Sequence, residues 1–348
     1  MITTKLILLP FIAFFSVIIL IPLVRRFSIG VGAIDCPDDD RKCHKEAVPS
    51  SGGVAIFLAF LLAVLFINRR SPEIMGFLIG ATIVTGVGLI DDITDIPPLT
   101  KLFGQILAAL IVIYAGVRID LISSPFGSGV LDLKFLALPL TFIWIVGVTN
   151  AINLLDGLDG LAAGVVGISS ATLGFISLML GKTDVAVLAF TLAAASFAFL
   201  PYNFSEKKKI FMGDAGSNFL GFSLAVISVL GAVKVATGFT MLVPLIILAI
   251  PLLDTALVIL KRLKGRRSII GADRGHLHHQ LIDIVGLDHR QAVFFIYTMT
   301  LVLSGVAILS ASFTAGTSLV VFGIALVLLS IVIIALISRH QSRKNGRH

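Results

Sequence analysis

Apolar stretches run through the chain from Ile2 onward, separated by short polar segments. A run of about twenty apolar residues crosses the hydrocarbon core of a bilayer as a helix. On that criterion the sequence predicts about eleven such helices, near 3–24, 53–67, 74–90, 99–116, 135–150, 158–180, 184–200, 216–232, 238–260, 291–312 and 316–338. The expected fold class is an all-α polytopic membrane protein, with one integral-membrane domain over 1–338 and a basic tail over 339–348. The first run has the apolar character of a signal peptide. No cleavage site of small residues stands out and another span follows at once, so it is expected to stay as a helix.

Composition agrees: 57% of the 348 residues are hydrophobic, only 14% are charged, and the mean hydropathy is +1.04. A soluble domain of this size needs more charge to cover its surface. The net charge of +7 matters through its placement and implies no nucleic-acid partner. With the N-terminus outside, 20 of the 27 Lys and Arg fall in the inside segments 25–52, 91–101, 150–159, 201–215, 261–290 and 339–348. That bias predicts an N-out, C-in protein of the cell (inner) membrane; the pair Arg69-Arg70 opposes it. The same orientation puts 16 of the 20 acids and all seven His on the cytoplasmic side. Ionisable groups at mid-span mark translocation paths, and here the span centres are nearly free of charge. The distribution favours a site at the membrane surface over a transporter of lipid-linked anions. Cys36 and Cys43 are too few for a disulfide framework, and a zinc site with His44 would still lack a fourth ligand.

Four polar segments carry the candidate chemistry. Asp91-Asp92, in Gly88-Leu89-Ile90-Asp91-Asp92-Ile93-Thr94-Asp95, can bind a divalent cation or supply a base. Lys101 re-enters the next span and, alone, reads as an interfacial anchor. Asn150, Asn153 and Asp156 share a helix face, and Asp156-Gly157 and Asp159-Gly160 then break the helix. The third segment runs from Asn203 through Lys207-Lys208-Lys209 to Phe211-Met212-Gly213-Asp214-Ala215-Gly216-Ser217. Asp214 can cap a helix or ligate a metal, the lysines read as a lipid-headgroup patch, and Phe211 is either core or a ring for stacking a base. The fourth is Arg274-Gly275-His276-Leu277-His278-His279, where arginines beside histidines favour a phosphate clamp over zinc. Hard oxygen ligands, a basic loop and Gly-rich turns at a membrane surface together imply Mg²⁺-assisted phosphoryl transfer from a nucleotide diphosphate to a lipid.

In order and spacing these segments resemble the polyprenyl-phosphate N-acetylhexosamine-1-phosphate transferases. The match is to the bacterial branch that uses UDP-GlcNAc and undecaprenyl phosphate to prime O-antigen, common antigen or teichoic acid synthesis. The resemblance implies Mg²⁺, with Mn²⁺ a possible substitute, and a possible homodimer. It implies that Asp91 and Asp92 handle the lipid phosphate, that Asp214 and Asn153 bind the metal, and that Lys101 contacts the diphosphate. It further assigns Asp156, Asp159 and Asn203 to the nucleotide pocket, Phe211 to the uracil, and His276, His278 and His279 to the diphosphate and sugar. Lys42, His44 and Gly52 would border the nucleotide site. The sister transferases of phospho-MurNAc-pentapeptide carry consecutive histidines and end outside. His276-Leu277-His278-His279 and the basic tail favour the GlcNAc branch, with other UDP-N-acetylhexosamines open as donors.

Overall fold

The computed structural model describes residues 2–35, 47–66, 71–123, 130–232, 241–265, 275–311, 316–328 and 330–331. The chain is built of helices: α1 (Ile2–Val31), α2 (Gly53–Leu65), α3 (Pro72–Thr94), α4 (Pro98–Tyr114), α5 (Ala137–Leu155), α6 (Leu161–Met179), α7 (Thr183–Asn203), α8 (Gly213–Ala232), α9 (Leu242–Ile247), α10 (Ala249–Lys264), α11 (Leu277–Asp283), α12 (His289–Ser310) and α13 (Gly316–Leu328). Two small antiparallel ribbons accompany them. One pairs β1 (Ile34–Asp35) with β2 (Val48–Pro49), the other β3 (Leu121–Ser123) with β4 (Val130–Asp132). Among the described residues, seven helices are long and apolar enough to cross a membrane, and α2, α4 and α13 are shorter apolar helices.

Among the described residues, ten of the eleven expected segments each hold one α-helix, the last of them, 316–338, being described only over 316–328 and 330–331; the segment 238–260 does not. There the chain forms α9 and α10 with a break at Leu248. Pro251 has no N–H to give the Ile247 carbonyl and its ring crowds that carbonyl, which favours a break here, although α1 runs unbroken through Pro10 and Pro22. Other boundaries move in a direction that matters for chemistry. α3 continues to Thr94 and α8 begins at Gly213, so Asp91, Asp92 and Asp214 lie inside helices rather than in the polar segments beyond them.

α8 is the centre of the bundle, with every residue from Ala215 to Val229 buried and α2, α3, α5, α6, α7 and α9 around it. In lipid, apolar burial gives helices little reason to associate, so close packing and small residues must hold them. Gly88 of α3 meets the start of α8 so closely that a Cβ there would lie 2.5 Å from the Ala215 nitrogen and the Asp214 carbonyl. Further along, Phe57, Phe60, Phe77 and Phe219 join α2, α3 and α8 through edge-to-face rings 5.4–5.7 Å apart. Because α3, α5 and α7 end where α4, α6 and α8 begin, all of their polar turns gather at one end of the bundle.

Candidate active site

The turn between α3 and α4 is made by its sequence. Asp95 takes a left-handed conformation (φ 52°) and closes α3, then Pro97-Pro98 forces an extended entry into α4. Asp91 ties this turn by accepting the Ile96 N–H at 2.9 Å. One turn into α4, the Lys101 ammonium lies 2.7 Å from Asp91 Oδ2 and 2.6 Å from Asp214 Oδ2. Lys101 is thus an ion-pair bridge between two helices and not a lone membrane anchor.

Asp92 points elsewhere. Its carboxylate accepts the backbone N–H of Asp214 at 2.7 Å and of Ala215 at 3.3 Å, capping α8 from α3. Gly213, at φ 73°, leaves room for that carboxylate; a Cβ there would collide with it. The adjacent acids, expected to act together, therefore have different partners. Asp91 faces the cation, and Asp92 fixes where Asp214 begins its helix.

Asn153 donates to Asp214 Oδ1 at 3.0 Å and to Ser217 Oγ at 2.8 Å. Beneath it, Asn150 and Gln105 join Asn218, which donates to the Asp214 carbonyl at 2.8 Å. Ser217 closes the third polar segment, whereas Gln105 and Asn218 lie outside all four, although polar residues within apolar spans were the available signal. Asp91, Asp92, Asn153 and Asp214 line one open cavity of about 790 Å³, together with Asp156, Asp159, Asn203, Lys209, Phe211 and His279.

The far wall is a set of braced turns. Asn203 uses both ends of its amide, accepting from Gly160 N at 2.5 Å and donating to the Ile210 carbonyl at 3.0 Å. It lines the cavity but acts as a strut between the α5–α6 turn and the segment before Phe211. Phe211 is held by its backbone, donating to the Pro49 carbonyl and accepting from Gly52 N. Gly52 lies against Phe199 and the Phe211 carbonyl, so it supports the site without lining it. Lys209 pairs with Asp159 at 2.6 Å and stands over the Phe211 ring, 5.0 Å from its centre. That replaces the headgroup-patch expectation for this lysine. Burial, then the carboxylates of Asp214, Asp92 and Asp159, push the Asp156 carboxyl up to about 8.

Of the three histidines, only His279 lines the cavity. His278 is 1% exposed and abuts Gly157; burial first, then the neighbouring His279, bring its imidazole down to about 4. A buried neutral ring is no phosphate clamp. His276 is buried behind it, paired with Asp254. The expected three-histidine clamp is thus one cavity-facing ring on two packed ones, because α11 turns successive side chains to different faces. Arg274, Lys42 and His44 lie outside the described residues.

Residues 74–232, which hold most of this site, match the family model described as glycosyl transferase family 4. A "probable undecaprenyl-phosphate N-acetylglucosaminyl 1-phosphate transferase" of Bacillus subtilis is 38% identical over 92% of this chain and 89% of its own length. The chain belongs to glycosyl transferase family 4. A decaprenyl-phosphate N-acetylglucosaminephosphotransferase of Mycolicibacterium smegmatis is 34% identical over 89% of this chain and 83% of the relative. An undecaprenyl-phosphate alpha-N-acetylglucosaminyl 1-phosphate transferase of Salmonella typhi is 30% identical, covering 83% and 80%. Membership agrees with the resemblance carried by the four polar segments and with the bacterial GlcNAc-1-phosphate branch. The family match spans the α3–α4 turn, the braced turns and the start of α8; α10 and α11 lie beyond it.

Proposed function

We propose that this chain transfers N-acetylglucosamine 1-phosphate from UDP-GlcNAc to undecaprenyl phosphate, releasing UMP, with Mg²⁺ at the cytoplasmic face of the cell membrane. The observation that carries this is the convergence of Asp91, Asn153 and Asp214, from three different helices, on a cavity open at one end of an apolar bundle, with Lys101 of a fourth helix bridging the two carboxylates from outside its lining. Its volume suits a small-molecule ligand, and a membrane-surface mouth suits a lipid acceptor. The names of the relatives supply the polyprenyl phosphate and the N-acetylglucosaminyl 1-phosphate group. Lys and Arg placement supports eleven spans with the N-terminus outside.

The donor set fits Mg²⁺. Among the described residues no three His, Cys, Asp or Glu form a metal-holding group. Two carboxylates do share one ammonium, which marks a place where positive charge is favoured. Mg²⁺ commonly takes one or two carboxylates and fills its shell with water and substrate phosphate. Asp91, Asp214 and the Asn153 amide oxygen would hold it, and it would neutralise charge on the diphosphate.

In the transfer, an oxygen of the lipid phosphate attacks the phosphorus that bears the sugar. A P–O bond to the lipid phosphate forms, the bond to the UMP oxygen breaks, and UMP leaves with that electron pair. A phosphate monoester is mostly ionised at neutral pH, so Asp91 keeps the acceptor deprotonated and steers it rather than stripping a strongly held proton. Lys101 sets positive charge beside the diphosphate, and Phe211 offers a ring face to the base. Asp92 works at one remove by fixing α8.

The test is UMP release by the purified protein from UDP-GlcNAc, undecaprenyl phosphate and Mg²⁺, with the lipid product weighed by mass spectrometry. The lipid should gain one N-acetylhexosamine phosphate, and EDTA should abolish the reaction. Folded protein that yields no UMP from any UDP-N-acetylhexosamine would sink the proposal.

A further inference from the structure

Asp254 has no part in the chemistry just described, yet it is a carboxylate only 7% exposed, on α10 one turn past Pro251. A buried charge persists only with partners, and each oxygen of Asp254 has its own. Oδ2 lies 2.9 Å from His276 Nδ1, and Oδ1 accepts the Leu277 N–H at 2.7 Å. Leu277 is the first residue of α11, and His276 is its N-cap residue but makes no side-chain capping bond. Asp254 therefore supplies from α10 the acceptor that the start of α11 needs. An ionised carboxylate can only accept, so the imidazole hydrogen facing it sits on Nδ1.

From this anchor a stack of rings leads to the cavity. The His276 ring lies parallel to that of His278 (10°, centres 5.8 Å apart), and His278 meets His279 at 4.3 Å. His278 is wedged against Gly157 of the α5–α6 turn, and His279 lines the cavity. α11 has only seven residues, too few to hold itself as a helix without outside support.

We infer that Asp254 is a positioning residue for the transferase. Acting through His276 and the first amide of α11, it sets the place and angle of that helix so that His279 faces the donor diphosphate. This rests on the transferase assignment, and the experiment separates the two.

Full-length wild type, Asp254→Asn, Asp254→Ala, His276→Gln and the double variant Asp254→Asn/His276→Gln are compared in detergent. Asparagine can still accept from Leu277, but it offers an N–H to His276 Nδ1, so the imidazole hydrogen should move to Nε2 and be read by ¹⁵N NMR. We expect Asp254→Asn to raise the donor KM about tenfold and leave the acceptor KM within about twofold. On the His276→Gln background the same change should add less than about twofold, because its route is already cut. In Asp254→Ala, amide hydrogen exchange over residues 277–283 should rise at least about tenfold. If that variant does not fold, the Asp254→Asn comparison carries the test. An unaltered His276 nitrogen pattern in Asp254→Asn overturns the inference. So does an equal kinetic cost with and without His276, or unchanged exchange in folded Asp254→Ala. Wild type that releases no UMP while the nitrogen and exchange changes occur would instead defeat the transferase assignment alone.

Discussion

Lys101 holds together carboxylates that would otherwise repel, one from α3 and one from α8, and it does so at the edge of an apolar bundle. Removing it leaves two neighbouring acids without the ammonium that offsets their repulsion. Lys101→Met should lower kcat/KM by about 10²–10³, the loss typical of one charged group at a reacting centre, measured as UMP release. Lys101→Arg should recover part of that, since it restores charge without the compact reach of an ammonium. His278 allows a second test at this scale, on stability. Its folded value of about 4 lies below the ordinary 6.5, so the folded state resists a proton that the unfolded chain accepts. The stability it contributes is present above pH 6.5 and is lost as pH falls toward 4. By pH 4 wild type should lose roughly 3 kcal/mol more than His278→Asn in chemical denaturation, and equal losses would contradict the buried neutral ring.

Between elements, the approach of α3 to α8 decides whether the residue-level geometry exists. Gly88 is the contact point, and the atoms facing it are backbone that cannot swing away. Gly88→Ala should therefore part α3 from α8, break the Asp92 bonds to Asp214 and Ala215, and lower the thermal midpoint by several degrees, with a cost of about 1–3 kcal/mol. Gly86, on the same helix with nothing within 4 Å of an added Cβ, is the control; its alanine variant should keep activity and stability. Equal behaviour of the two variants would contradict the close approach. The break between α9 and α10 belongs to this scale as well, since it gives Asp254 its own short helix beside α11.

For the whole molecule, the alternation of helices brings the ends of α3, α5 and α7 and the starts of α4, α6 and α8 to one side, and that side carries the acids. If it faces the cytosol, a cysteine placed in the tail at Ser342 should react with a membrane-impermeant thiol reagent only in inverted vesicles. One introduced at Thr183, at the opposite end of the bundle, should react only in right-side-out vesicles, on a background lacking Cys36 and Cys43. Apolar runs alone determined the helical class and the place of nearly every long helix, because in lipid each backbone group must bond within its own segment. The sequence also determined the candidate chemistry by type, since acids, amides and histidines are too costly near a bilayer to be casual. Partners were a different matter. Whether Lys101 anchors a helix or bridges Asp91 to Asp214, and whether Asp92 works on substrate or on α8, depends on contacts across helices far apart in the chain. Spacing within one helix carries no information on those contacts. Tertiary structure alone decided that His279 reaches the cavity while His276 and His278 are packed behind it, because a short helix takes its angle from the carboxylate that anchors it.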